Sequence, residues 1–207
     1  MAKYTGPDCR QCRREGCKLF LKGDKCYSEK CVFVKRNTTP GIHGGMKKKP
    51  TPYSIQLREK QKAKRIYGLT EKQFHKYYLM AEKLRGVTGE NMLVLLERRL
   101  DNVTYRMGIG VSRAQARQIV NHGHITVNGK RVNIPSYLVK AGDVIEVKSN
   151  KQELPFFKEL KNSKINNSVK WLEFNAEALK GSVLALPTRE DVDMQIAEHM
   201  IVELYSK

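Results

Sequence analysis

The chain has 207 residues, 40% of them apolar, with 39 Lys and Arg against 21 Asp and Glu and a formal charge of +18. Its longest unbroken apolar run, Met92 to Leu96, is far short of the ~20 residues that a membrane-spanning helix needs, and the start, Met1-Ala2-Lys3-Tyr4, carries no secretory signal. These features point to a cytosolic chain with enough apolar matter for one large or two modest domains.

The charge is unevenly spread. Residues 1–150 hold 31 basic and 12 acidic side chains, whereas 151–207 hold 8 and 9. Such a surplus repels itself in a compact fold and becomes favourable when a polyanion compensates it and releases counterions. Nucleic acid is the expected partner, against the plainer reading of a merely soluble basic protein. An anionic membrane surface is disfavoured, because no basic helix carries a broad apolar face to insert.

All five cysteines fall between residues 9 and 31. Clustering of this kind in a cytosolic chain reads as metal binding rather than as a disulfide framework. Cys9 and Cys12 make one pair and Cys26 and Cys31 a second, a set that suits four thiolates around one structural Zn²⁺. Cys17 is then the spare. Arg10, Arg13 and Arg14 flank one pair and Lys25 and Lys30 the other, cations that would favour thiolates, and the three arginines are also candidate RNA contacts. A redox or free-thiol cluster, an iron–sulfur site and a metal-free segment are the competing readings. A closed four-cysteine site would have no open position for catalysis, and its task would be to fold a segment with little apolar surface.

Asn37 to Tyr53 is rich in Gly, Pro, Thr and Lys and reads as loop, with Lys47, Lys48 and Lys49 in a row. A helix follows from Ser54 to Gly68, with Lys60, Lys62, Lys64 and Arg65 expected over its outside. A second runs from Thr70 to Leu84, where the spacing of Phe74, Tyr77 and Tyr78 favours core packing over base stacking. A third is expected from about Glu90 to Tyr105.

Ser112-Arg113-Ala114-Gln115 fits a capping box that opens a helix ending at Gly123. Ile125-Thr126-Val127, the turn Asn128-Gly129 and Lys130-Arg131-Val132 then form a hairpin. Val144 to Val147 alternates as a further strand. Arg113 and Arg117 share a helical face at a spacing that costs a helix ~0.2 to 0.5 kcal/mol, which suits phosphate ligands better than helix stabilisers, with Lys130 and Arg131 nearby. Residues 151–170 read as loop and frayed helix. Trp171 to Phe174, Val183 to Leu186 and His199 to Tyr205 read as short strands.

Taken together, Pro40-Gly41-Ile42-His43-Gly44, Leu57-Arg58-Glu59-Lys60-Gln61-Lys62, Arg65-Ile66-Tyr67-Gly68, Leu100-Asp101-Asn102-Val103-Thr104-Tyr105-Arg106, the capped helix with its hairpin, and Ile201-Val202-Glu203-Leu204-Tyr205 resemble bacterial-type small-subunit ribosomal protein number four, over essentially the whole chain. The resemblance implies an α+β architecture. It would comprise a zinc-stabilised N-terminal segment with a basic loop (1–45), a helical domain (46–97, packed with 175–207), an inserted small α/β RNA-binding module of two helices, hairpin and further strand (98–160), and connecting and C-terminal strands (161–207). It places the ligands of one zinc on Cys9, Cys12, Cys26 and Cys31; Cys17 lies outside that pattern. It implies a structural, non-enzymatic protein of the cytoplasmic ribosome that binds the 5′ domain of small-subunit ribosomal RNA, nucleates assembly and contributes to translational accuracy. Lys47, Lys48 and Lys49 would lie where messenger RNA enters, beside ribosomal proteins numbers three and five, with no membrane partner and no homo-oligomer.

Two rivals come from other classes. Pseudouridine synthases carry a similar module and an Arg-Leu-Asp motif that Arg99-Leu100-Asp101 imitates, but here the aspartate falls inside a helix at the module's start and no later catalytic domain remains. A zinc-containing DNA-binding regulator would concentrate base-reading residues on one helix, whereas the bases here extend over 150 positions.

Overall fold

The computed structural model describes residues 4–45, 49–162 and 169–206. It forms two units, residues 1–93 with 194–207, and residues 94–193. The first holds helices α1 (Asp8–Glu15), α2 (Asp24–Tyr27), α3 (Val32–Lys35), α4 (Pro52–Ile66), α5 (Glu71–Glu82) and the start of α6 (Thr88–Glu97). The second holds α7 (Leu100–Arg106), α8 (Arg113–Asn121), β1 (Ile125–Val127), β2 (Lys130–Arg131), β3 (Val144–Val147), α9 (Pro155–Asn162), β4 (Leu172–Asn175) and β5 (Lys180–Val183). Helix α10 (Glu198–Tyr205) rejoins the first.

In the first unit α4 opens on Pro52, with the Thr51 hydroxyl accepting from the Ser54 N–H at 3.2 Å, a side-chain cap for one of the helix's orphan donors. Ala63 and Ile66 face inward, as do Phe74, Tyr77, Tyr78 and Ala81 of α5. The three aromatics are therefore core. The segment expected as a strand from His199 to Tyr205 is helix α10 instead. It packs along α4, where Gln56 donates to Glu203 at 2.8 Å and the Ala197 N–H donates to Glu59 at 3.2 Å. Its β-branched and aromatic content suggested a strand, but with Ile201 fully buried the tertiary partner decides the conformation.

The helix expected to run unbroken through Leu100 stops at Glu97. Arg99 is extended (φ −67°, ψ 136°) and bridges to Leu138. The Leu100 N–H donates to the Tyr137 carbonyl at 2.8 Å, and the Val139 N–H to the Arg98 carbonyl at 3.0 Å. Pairing with a loop some forty residues later replaces the helical bonds at the break, a competition that apolar spacing does not register.

Beyond the break, α7 and α8 pack together and the hairpin forms where expected. Asn128 and Gly129 both have positive φ (50° and 76°), the type I′ turn in which Asn and Gly are favoured. The Asn128 carboxamide also accepts from the Val144 N–H and donates to Asp143, each at 2.9 Å, so the turn is tied to β3. The sheet is antiparallel throughout, in the order β2-β1-β3-β5-β4. It is wider than expected. Residues 172–183, assigned above to connecting and C-terminal strands, belong to this sheet, with Ile145 opposite Gly181. Gly181 is obligatory for space: a Cβ there would meet the Glu173 carbonyl at 2.8 Å and the Met107 side chain at 2.9 Å. One core of Leu100, Val103, Met107, Val120, Ile125, Ile145, Trp171 and Leu179, with others, fills the unit.

Candidate nucleic-acid interface and cysteine cluster

In the first unit, α1 and α4 are pinned by Glu15, whose side chain is 1% exposed and is paired with Arg65 and, at 3.3 Å, with Arg58. Burial pushes its carboxyl upward, and Arg65 and Arg58 offset this only in part. Glu71 likewise accepts from Lys60 at 2.6 Å, Lys64 at 2.9 Å and the Tyr205 hydroxyl at 2.8 Å. Burial raises the Glu71 carboxyl, but these hydrogen bonds outweigh it and bring it to about 2. The row of bases expected over the outside of α4 is therefore corrected. Lys60 is buried beside the Tyr205 ring, Lys62 pairs with Glu59 at 2.8 Å, and Lys64 and Arg65 are half-buried and paired.

Between these helices lies a cavity of about 580 Å³. Arg10, Gln11 and Arg14 of α1 line one side, and Gln61, Lys64 and Arg65 of α4 the other; no Asp or Glu is among its lining residues. The two glutamines were not singled out from sequence, although Arg10 and Arg14, one helical turn apart with Gln11 beside them, were a readable signal. Arg13 points elsewhere and donates to the Thr38 carbonyl at 2.8 Å. Lys49 is exposed, while Lys47 and Lys48 lie outside the described residues.

The second unit holds a buried polar network at the start of its module. Asp101 accepts from Arg99 through Nε at 3.0 Å and Nη2 at 2.6 Å, and Arg117 lies 3.7 Å from the same carboxylate. Asn102 donates to the Glu97 carboxylate at 2.6 Å and accepts from Arg113 Nε at 2.8 Å, which holds that guanidinium over the Tyr105 ring, 4.5 Å from its centroid. The expectation that Arg113 and Arg117 both face outward is thus corrected: Arg113 is half-buried, and Arg117 is 6% exposed and paired with Asp101. The same carboxylate that imitated a catalytic aspartate spends both oxygens on fold-bound guanidiniums. Lys130 and Arg131 are exposed on β2, with the Arg131 guanidinium laid across Gly123 where a Cβ would stand 2.3 Å from its Nε. His122 and His124, also unremarked in the sequence, meet edge to face beside it. Burial lowers the His124 imidazole, and His122, Lys151 and Arg131 lower it further.

Cys9 and Cys12 lie on α1 and Cys26 on α2, whereas Cys31 stands just before α3 and Cys17, half-buried, just beyond the end of α1. Cys12, Cys26 and Cys31 are buried. The Lys22 N–H donates to Cys26 Sγ at 3.3 Å and the Leu19 N–H bonds to Cys12. Burial pushes the Cys12 thiol up to about 11, with the Leu19 N–H offsetting it in part and Cys26, Cys9 and Cys17 adding to it. Four sulfurs, two of them receiving backbone N–H bonds, are a donor set that suits zinc. Among the described residues, however, no three His, Cys, Asp or Glu side chains stand close enough together to hold a metal.

Residues 3–97 match the family described as ribosomal protein S4/S9 N-terminal domain, and residues 98–145 match the S4 domain. The chain is 63% identical over 208 residues to small ribosomal subunit protein uS4 of Caldicellulosiruptor saccharolyticus, 59% identical over 207 to that of Clostridioides difficile, and 58% identical over 207 to uS4A of Symbiobacterium thermophilum, covering 100% of both chains in each case. The chain belongs to the uS4 family of small ribosomal subunit proteins. The uS4 boundary at 97/98 falls at the break after α6, where Arg99 turns the backbone from the N-terminal segment into the S4 domain. The S4-domain match ends at 145, inside β3, so β5 and β4 extend the sheet beyond it.

Proposed function

We propose that the chain is a structural, non-enzymatic constituent of the small subunit of the cytoplasmic ribosome, binding small-subunit ribosomal RNA directly. The observation that carries this reading is end-to-end identity of 58–63% with relatives named for that subunit. The cleft, whose charged lining residues are all basic, supports it physically, because cations on two facing helices favour a phosphate backbone. Arg10 and Arg14 are its contacts in the first unit, with Lys64 and Arg65 lining the cleft behind them while paired to Glu71 and Glu15, and Arg113, Lys130 and Arg131 are its contacts in the second; Arg117 supports them from beneath. Filter binding tests the reading: the chain should retain a 5′-domain ribosomal RNA fragment at 200 mM salt at least tenfold better than duplex DNA of equal length. Equal retention would favour a general nucleic-acid regulator.

The finer assignments belong to the same proposal. The RNA partner is the 5′ domain, bound early so that the chain nucleates assembly of the body. Messenger RNA passes the Lys47, Lys48 and Lys49 loop, with ribosomal proteins three and five as neighbours and one copy of this chain per subunit. Support for these comes from the family resemblance and, for Lys49, from its exposure. One zinc on Cys9, Cys12, Cys26 and Cys31 would cross-link α1, α2 and the start of α3, supplying the cohesion that this apolar-poor segment lacks.

A further inference from the structure

We infer that the cleft between α1 and α4 is a pocket for one unpaired nucleotide of the RNA, read by Gln11 and Gln61. The inference rests on the ribosomal RNA reading above and adds a subsite to it. Its starting point is Gln11. This side chain is 8% exposed, lines the cleft, and makes no hydrogen bond among the described residues. Its carboxamide is not sealed from solvent but opens into the cleft with a donor and an acceptor that the fold leaves unused, and a ligand that offers both would match it.

A bare phosphate accepts only and would leave the glutamine oxygen unanswered. A nucleobase edge carries donor and acceptor side by side, the pattern that a carboxamide matches bidentately. Gln61 adds a second carboxamide from the facing helix. The cations divide by their bonding. Arg65 and Lys64 are held by Glu15 and Glu71, whereas the side chains of Arg10 and Arg14 are exposed and make no hydrogen bond or ion pair among the described residues, and they remain for the phosphate on either side of the base. The Tyr4 ring at the rim, 52% exposed, offers a stacking surface. A volume of about 580 Å³ is within the range of small-ligand sites and too small for a duplex. The fitting RNA is therefore a loop or bulge whose base is splayed out.

The test uses the full chain and a 5′-domain ribosomal RNA fragment, with chemical probing of the Watson–Crick faces of unpaired bases. The wild-type chain should protect one unpaired base that Gln11→Leu and Gln61→Leu each unmask, with affinity lowered about tenfold and both the salt slope and the rest of the footprint retained. Gln61→Leu stands on α4 rather than on the cysteine-bearing α1, and so reports even if Gln11→Leu disturbs α1. Arg10→Gln with Arg14→Gln should instead flatten the salt slope by about 1.4, from ~0.7 per contact on a single strand. Glutamine variants with an unchanged footprint and affinity overturn the pocket while leaving ribosomal RNA binding intact. A wild-type chain that does not bind the fragment overturns both. AMP, GMP, CMP and UMP are titrated into the RNA-free chain as a second arm. Micromolar binding by any of them that Gln61→Leu abolishes, and that RNA fragment added afterwards does not displace, would assign the cleft to a free nucleotide and overturn the RNA assignment.

Discussion

Asp101 shows how one buried carboxylate can organise a module. It faces Arg99, 1% exposed, and Arg117, and removing its charge takes an ionised partner from two buried guanidiniums. Asp101→Asn should lower the unfolding free energy by about 3 to 5 kcal/mol, read from urea denaturation; a loss below about 1 kcal/mol would mean that other groups carry these cations. Glu71 acts through pH. Its carboxyl, at about 2 against an ordinary 4.5, ionises more readily in the folded chain, so its contribution is complete above pH 4.5 and is lost as pH falls towards 2. Because the side chain is 44% exposed, the contribution is no more than about 1 kcal/mol. Glu71→Gln should flatten the dependence of stability on pH across that window, and an unchanged profile would refute the assignment. Glu15 runs the other way: its raised carboxyl favours the folded chain at low pH and costs stability as pH rises through it. The Glu71 variant separates the two.

Local chemistry made some elements legible and left others hidden. The Asn128-Gly129 turn was readable because two adjacent positive φ angles demand those residues wherever the hairpin sits. Ser112 caps α8 as its sequence suggests, its hydroxyl accepting from the Gln115 N–H at 3.3 Å, although the Gln115 side chain reaches back to the Val111 N–H rather than to that of Ser112. The break at Arg99, the helical state of α10 and the pairing of β3 with β5 were hidden because each depends on a partner many residues away. The cleft was half legible: its cations stood out, but Gln11 gained meaning only once α4 lay opposite. At the N-terminal helices the cysteine spacing was plain. Cys26→Ser should abolish stoichiometric zinc and expose roughly the first 35 residues to protease, because bound metal would supply folding free energy there. Cys17→Ser should leave one zinc per chain by atomic absorption. Equal loss from both variants would reject this ligand set.

At the scale of the molecule, charge and fold converge on one partner. The excess of positive charge lies in residues 1–150, and one place where it lines a concave surface is a cleft with no carboxylate among its lining residues. The residues after 150 are charge-balanced, completing the sheet with β4 and β5 and the first unit with α10. Acidic side chains are spent inside each unit, Glu15 and Glu71 in the first and Glu97 and Asp101 in the second. There they fix the cations of the fold, while Arg10, Arg14 and Lys130 stay exposed. The most direct test of the ribosomal assignment is the stoichiometry of the tagged chain in small subunits purified through high-salt gradients, measured by quantitative mass spectrometry. One copy per subunit is expected, retained at salt concentrations that strip loosely bound basic proteins; a chain recovered free of subunits, or in proportion to bulk nucleic acid, would refute the ribosomal assignment.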